Sequence, residues 1–138
     1  MADTVSAEIK SFLDQPHVAA FGTVRPNGRP HVTPVWYDFD GSEFTIAVFR
    51  TTQKLKNVSK KGFATISVFT SQPPYLHVIV EGTARVGSTL DNVWRERLAQ
   101  RYLGEHAGRV YVQETADFDV VAIHVRPLRW ISMGFSES

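Results

Sequence analysis

A chain of 138 residues, 43% of them hydrophobic, is the size of one domain (1–138) and is long enough to bury a core of its own. Fifteen Lys and Arg against fourteen Asp and Glu leave a net charge of +1, so no overall field draws the chain to nucleic acid or to a membrane surface. The absence of cysteine excludes disulfides, thiolate nucleophiles and thiolate metal sites, and it fits a reducing compartment.

The opening MADTVSAEIKSF lacks the basic segment and following apolar stretch of a secretory signal. No apolar run approaches the roughly 18 residues that a spanning helix needs, so a cytoplasmic location is expected. In SAEIKSFLDQP, Ile9, Phe12 and Leu13 recur at helical spacing, with Ser6 as cap and Pro16 as stop. HVAAFGTV (17–24) reads as a largely buried strand, and RPNG (25–28) is turn chemistry. PHVTPVWYDF is the next strand. Its inner proline, Pro34, cannot donate to a ladder, which demands an unpaired side or a bulge there. DFDGSE then turns the chain into FTIAVF (44–49), completing two consecutive hairpins.

RTTQKLKNVSKK (50–61) comes next, with Leu55 and Val58 as its inward face and Gly62 as its terminating residue. FATISVFT returns as a strand and SQPPY breaks it. In YLHVIVEGTARV, Leu76, Val78, Val80, Ala84 and Val86 alternate with His77, Glu81, Thr83 and Arg85, and Gly82 marks a bend. STLDNVWRERLAQRYLG is the clearest helix: Ser88 and Asp91 suit its start, Leu90, Trp94, Leu98 and Tyr102 recur at fourfold spacing, and Gly104 closes it. Residues 105–118 are ambiguous, and VVAIHVRPLRW supplies the last strand. Six strands, mostly joined by hairpins, point to an antiparallel barrel or sandwich with a few short helices.

The basic segment holds five of the chain's fifteen cations and no acid, so the remainder carries ten basic against fourteen acidic residues, a balance of −4. Cations at a helix start oppose the backbone dipole. Either this is an exposed helix start with unplaced lysines, or an anion such as a phosphate lies there. In the second case it meets free amides, a Thr51 or Thr52 cap, Lys54 and Arg50. No Gly-rich loop accompanies it, which argues against a Walker-type site. In HVTPVWY, a proline-interrupted strand beside Trp36 and Tyr37 suits either a protected sheet edge or a flat ring bound through main-chain groups.

Other chemistries have weaker signatures. His17, His31, His77, His106 and His124 form no HExxH or i, i+4 pair, so no metal ligands are assigned. There is no GxSxG and no arrayed nucleophile and base. Lys54, Lys56, Lys60 and Lys61 make a narrow footprint for nucleic acid.

The ordered set AFGTVRPNGRPHVTPVWYDFDGSEFTIAVFRTTQKLKNVSKKGFATISVF, then YLHVIVEGTARV and VRPLRWISMG, resembles the split-β-barrel flavin and deazaflavin oxidoreductases related to pyridoxamine 5′-phosphate oxidase. The likeness is to the actinobacterial branch that uses the 8-hydroxy-5-deazaflavin coenzyme (coenzyme F-420). It implies a mainly β fold, a six-stranded antiparallel split barrel of Greek-key type, forming a homodimer with two cofactor sites at its interface. It implies that Lys54 binds the cofactor phosphate with Arg50, Thr51, Thr52 and Gln53, next to Val48 and Phe49. Thr33, Pro34, Val35 and Trp36 would line the ring with main-chain groups, and Tyr75, Leu76, His77 and Trp130 would reach it from the partner chain. The arginine-rich substrate motif of pyridoxamine phosphate oxidases proper is missing. Arg126 and Arg129 stand instead in a VRPLRW context, so oxidation of pyridoxamine phosphate is not expected.

The resemblance thus implies a reductase that passes hydride to a small, planar or unsaturated substrate. FMN is the alternative cofactor, and a non-catalytic carrier of a cofactor or tetrapyrrole the alternative function. The surplus lysines Lys56, Lys60 and Lys61 suit the acidic tail of the deazaflavin coenzyme. The cofactor carries the chemistry, so no catalytic side chain is assigned, and the proton source is left among His31, Tyr75 and solvent.

Overall fold

The computed structural model describes residues 5–136. In chain order the elements are α1 (Ala7–Leu13), β1 (Ala19–Val24), β2 (Pro30–Val35), β3 (Tyr37–Phe39), β4 (Phe44–Phe49), α2 (Gln53–Lys61), β5 (Phe63–Phe69), β6 (His77–Thr89), α3 (Asn92–Leu103), α4 (Glu105–Glu114) and β7 (Val120–Met133). The strands form one antiparallel sheet in the order β2-β1-β5-β6-β7-β4-β3. The two edge strands, β2 and β3, are consecutive in the chain and separated only by Trp36. The sheet must therefore curl until its edges meet at that residue, giving a split barrel. The strand count is seven rather than six because the run PHVTPVWYDF is divided there.

Alternation along each strand sends one face inward, where Phe21, Tyr37, Phe44, Ile66, Val80 and Ile123 are fully buried. β6 and β7 are long enough to serve both halves of the barrel: β6 pairs with β5 and β7, and β7 pairs with β6 and β4. The bend expected at Gly82 is present as a register shift between Glu81 and Gly82. A side chain at Gly82 would run into the carbonyl of Arg126 on β7, so only glycine lets the two strands approach there.

The helices follow their caps. Ser6 accepts from the Ile9 amide at 3.1 Å, and Asp91 accepts from the Trp94 amide at 2.9 Å. Ser88 lies instead within the end of β6. Gly62 ends α2 at φ 65°, the left-handed terminus expected from sequence. The ambiguous 105–118 segment is mostly α4, packed antiparallel to α3 with Arg109 against Glu96 and Thr115 against Arg95. Among the described residues no helix is long and apolar enough to cross a membrane.

Candidate functional site

A cleft of about 420 Å³ opens between the end of β4, the β2–β3 junction, the start of α2 and the paired helices α3 and α4. Trp36 forms one wall, its ring stacked on Tyr102 at 4.9 Å and 6° and tilted against Tyr111 at 5.4 Å. Val35, Val48 and Leu98 add apolar surface, and Thr52, Lys54 and Arg95 are its polar members. No carboxylate lines it among the described residues. Aromatic walls with two cations and no acid suit a ligand that combines a ring with anionic groups.

The start of α2 departs from the expected cap. Thr52 occupies the capping position, but its hydroxyl turns back to donate to the Phe49 carbonyl at 2.9 Å, and no side chain caps the helix. The first helical bond, from Lys56 N–H to Thr52 O, is long at 3.4 Å. The amides of Gln53, Lys54 and Leu55 precede it, so the first turn keeps donors for an external acceptor. Lys54 has no carboxylate partner among the described residues, and burial lowers its ammonium below the ordinary value. On the inner face of β2, His31 Nδ1 and Thr33 Oγ1 are buried without a hydrogen-bond partner among the described residues. The Lys54 charge is felt at His31. Uncapped amides, a desolvated cation and two orphaned polar atoms are the donor set a phosphate needs, so the residues present fit such a group.

Other sequence-predicted residues are engaged differently. Arg50 pairs with Asp119 and donates to Thr89 Oγ1 at 3.1 Å, so of the cations in the basic segment it is Lys54 that lines the cleft with Thr52. With Thr51 and Phe49, Arg50 borders a separate shallow hollow. Gln53 donates to Asn57 Oδ1 at 2.8 Å, and Asn57 donates to Thr23 Oγ1 at 3.0 Å. That buried relay fastens α2 to β1. Tyr75 is exposed, and His77 pairs with Phe69 and Met133 on the outer face of the sheet. Leu76 and Trp130 pack against their own chain's core, Trp130 beside Phe39 and Phe44.

Sequence reasoning missed the contribution of α3 and α4: Arg95, Leu98 and Tyr111. One signal was available. Arg95 stands three residues before Leu98 and seven before Tyr102, a cation placed on the helix's packed stripe.

His17 and His31 both have their imidazoles held below the ordinary value of 6.5, chiefly by burial. Neighbouring cations add to this, Arg101 for His17 and Arg25 with Lys54 for His31. Both are therefore neutral in the folded protein near pH 7, and His31 is poorly suited to donate a proton. The unfolded chain binds protons more readily than the folded one below about pH 6.5, so stability falls as pH drops. The urea midpoint is expected to decrease steadily from pH 7.5 to pH 5. A combined His17→Gln, His31→Gln variant should flatten that slope, and an unchanged slope would assign it to other groups.

A split β-barrel with an apolar, helix-lined cleft and a cationic helix start is the architecture of proteins related to pyridoxamine 5′-phosphate oxidase. Residues 5–134 match the family described as pyridoxamine 5′-phosphate oxidase, and the chain belongs to that family. It is 32% identical over 102 residues to an F420H(2)-dependent biliverdin reductase of Mycobacterium tuberculosis, covering 71% of this chain and 72% of that one. A solved structure of an F420 reductase superposes with a TM-score of 0.75 at 25% identity, covering 92% of this chain and 98% of that one. The haem storage protein HutZ of Vibrio cholerae shares the fold, with a TM-score of 0.71 at 15% identity over 96% and 97% of the two chains.

Proposed function

We propose that this protein is a cytoplasmic reductase that binds the reduced 8-hydroxy-5-deazaflavin coenzyme and passes its hydride to a planar conjugated acceptor of the enone or bilin class. The observation that carries this reading is the start of α2: an uncapped helix end with a desolvated, acid-free Lys54 lining an aromatic-walled cleft. The similarity to an F420H(2)-dependent reductase supports deazaflavin over FMN. So do Lys56, Lys60 and Lys61, exposed along α2, which suit an acidic tail outside the cleft.

When bound, the coenzyme supplies the hydride. The amides of Gln53, Lys54 and Leu55, the Lys54 ammonium and the hydroxyl of Thr33 would hold its phosphate. Val35 and Trp36 present main-chain groups and an aromatic wall to the ring, and the stack of Trp36 on Tyr102 fixes that wall. Leu98 and Val48 exclude water from the face where the acceptor lies. Neutral His31 serves as a hydrogen-bonding group, which leaves Tyr75 or solvent to supply the product's proton.

Two copies pair through the outer face of the sheet, which β2, β5, β6 and β7 supply. Ladder register puts Val32, Phe63, Phe69, Ile79, Ile131 and Met133 on that face, several of them well exposed. This contact would bring Tyr75 and His77 of each chain toward the cleft of the other.

The test is a fluorescence titration of the protein with F420 and separately with FMN, with sedimentation of the same samples, followed by reduced F420 and a panel of bilins and enones. Micromolar or tighter binding of F420, two chains per particle and oxidation of reduced F420 on adding an acceptor are expected. Binding without turnover by any acceptor would make the protein a carrier. Preference for FMN would overturn the cofactor assignment, and binding of neither would overturn the function.

A further inference from the structure

The most buried arginine has no carboxylate to answer its charge among the described residues. Arg50, Arg85, Arg97, Arg101, Arg109 and Arg129 all pair with carboxylates and all are more exposed. Arg95 is only 6% exposed, lines the cleft and meets no carboxylate among the described residues. Its contacts are to neutral oxygens: Asn92 Oδ1 at 3.2 Å, the Thr115 carbonyl at 3.1 Å and Thr115 Oγ1 at 2.5 Å. The carbonyl end of α4 offers it a partial negative charge. A guanidinium has five N–H donors, and these three contacts leave capacity unused. A buried charge without a counter-charge is costly to maintain. Asn92 and Thr115 lock the fork in place, so it is organised in advance of any ligand.

The titratable and charged groups among the described cleft-lining residues are Lys54 from α2, Arg95 from α3 and Tyr111 from α4, and the strands contribute none. Two cations on different elements, with no acid between them, call for a ligand with two separate anionic groups. A phosphate at Lys54 accounts for one.

We infer that Arg95 binds the ionised ring hydroxyl of the deazaflavin coenzyme and thereby selects it over FMN. This rests on the functional reading above. The 8-hydroxyl is conjugated to the ring's carbonyls and loses its proton to water as an acidic phenol does. FMN has a methyl group in that part of the ring and offers no second anion. Arg95 is thus a specificity-determining residue that favours the phenolate form of the bound coenzyme.

The experiment is a spectrophotometric pH titration of oxidised F420, free and bound to the intact protein, using the absorbance change on ionisation of the hydroxyl. In the wild-type complex the hydroxyl is expected to ionise at least about one pH unit below the free coenzyme. Arg95→Gln should abolish that shift and weaken F420 binding about tenfold or more, while FMN binding changes less than about threefold. Arg95→Lys should retain part of the shift, and thermal melting checks that each variant folds. The wild-type comparison stands without any variant: an unshifted ionisation overturns the inference. Equal loss of F420 and FMN binding in Arg95→Gln would also overturn it, making Arg95 a strut between α3 and α4. A wild-type protein that does not bind F420 overturns the functional reading, whereas one that binds it with unshifted ionisation overturns the Arg95 assignment alone.

Discussion

Lys54→Glu is expected to move affinity and stability in opposite directions. Loss of the charge-assisted phosphate contact weakens coenzyme binding by about 1.5–3 kcal/mol, roughly 10- to 150-fold in Kd, and the reversed charge adds to that loss. The free protein should gain a little. Lys54 stands in the first turn of α2, where no acid offsets its unfavourable position against the dipole, and a carboxylate there is worth roughly 0.3–1 kcal/mol. A structural lysine would not give that pairing of signs. Fluorescence titration reports the affinity and urea unfolding without coenzyme reports the stability. Unchanged affinity would remove the phosphate from this helix. A drop in stability would mean that the lysine's burial matters more than its charge. Lys54→Gln separates the terms further, since it removes the attraction without adding repulsion.

The same residue shows what the sequence made legible. A cluster of cations without acids at a strand-to-helix boundary is a local pattern, and the structure leaves that helix start uncapped. The barrel was legible for the same reason: alternation, turns and Gly82 each act over a few residues. Four features were not. Thr52 looked like a side-chain cap, but its hydroxyl was free to choose between the helix amides and the Phe49 carbonyl, and it took the latter. Arg50 was expected beside the phosphate, and its pairing with Asp119, brought alongside by the pairing of β4 with β7, is a contact that the local sequence does not contain. The division of β2 from β3 depends on which edge each segment joins, a long-range outcome that no window of PHVTPVWYDF contains. The helical wall was missed because RERLAQRYL presents its buried cation in a charge-rich stretch, where an arginine is ordinarily solvated.

The crossing at Trp36 is where fold and cleft depend on the same contacts, so substituting Tyr102 is expected to affect both. Its hydroxyl accepts from the Tyr37 amide at 3.1 Å and donates to the His17 carbonyl at 2.7 Å, while its ring carries Trp36. One α3 side chain thus ties the chain segments that enter β1 and β3, at the point where the open sheet becomes a barrel. Tyr102→Phe keeps the stack but strands a buried amide and a carbonyl, at a cost of roughly 1–3 kcal/mol. Tyr102→Ala also removes the ring, and roughly 3–5 kcal/mol is the usual loss for a large buried aromatic. The lower end applies here because this ring is partly exposed. The difference between the variants measures the stack, and binding should follow it. Phe at 102 keeps the Trp36 wall and leaves coenzyme affinity nearly unchanged, whereas Ala frees the indole and weakens it. Equal destabilisation by both would place the whole effect in the hydroxyl, and the cleft wall would then have to be held by Tyr111 instead.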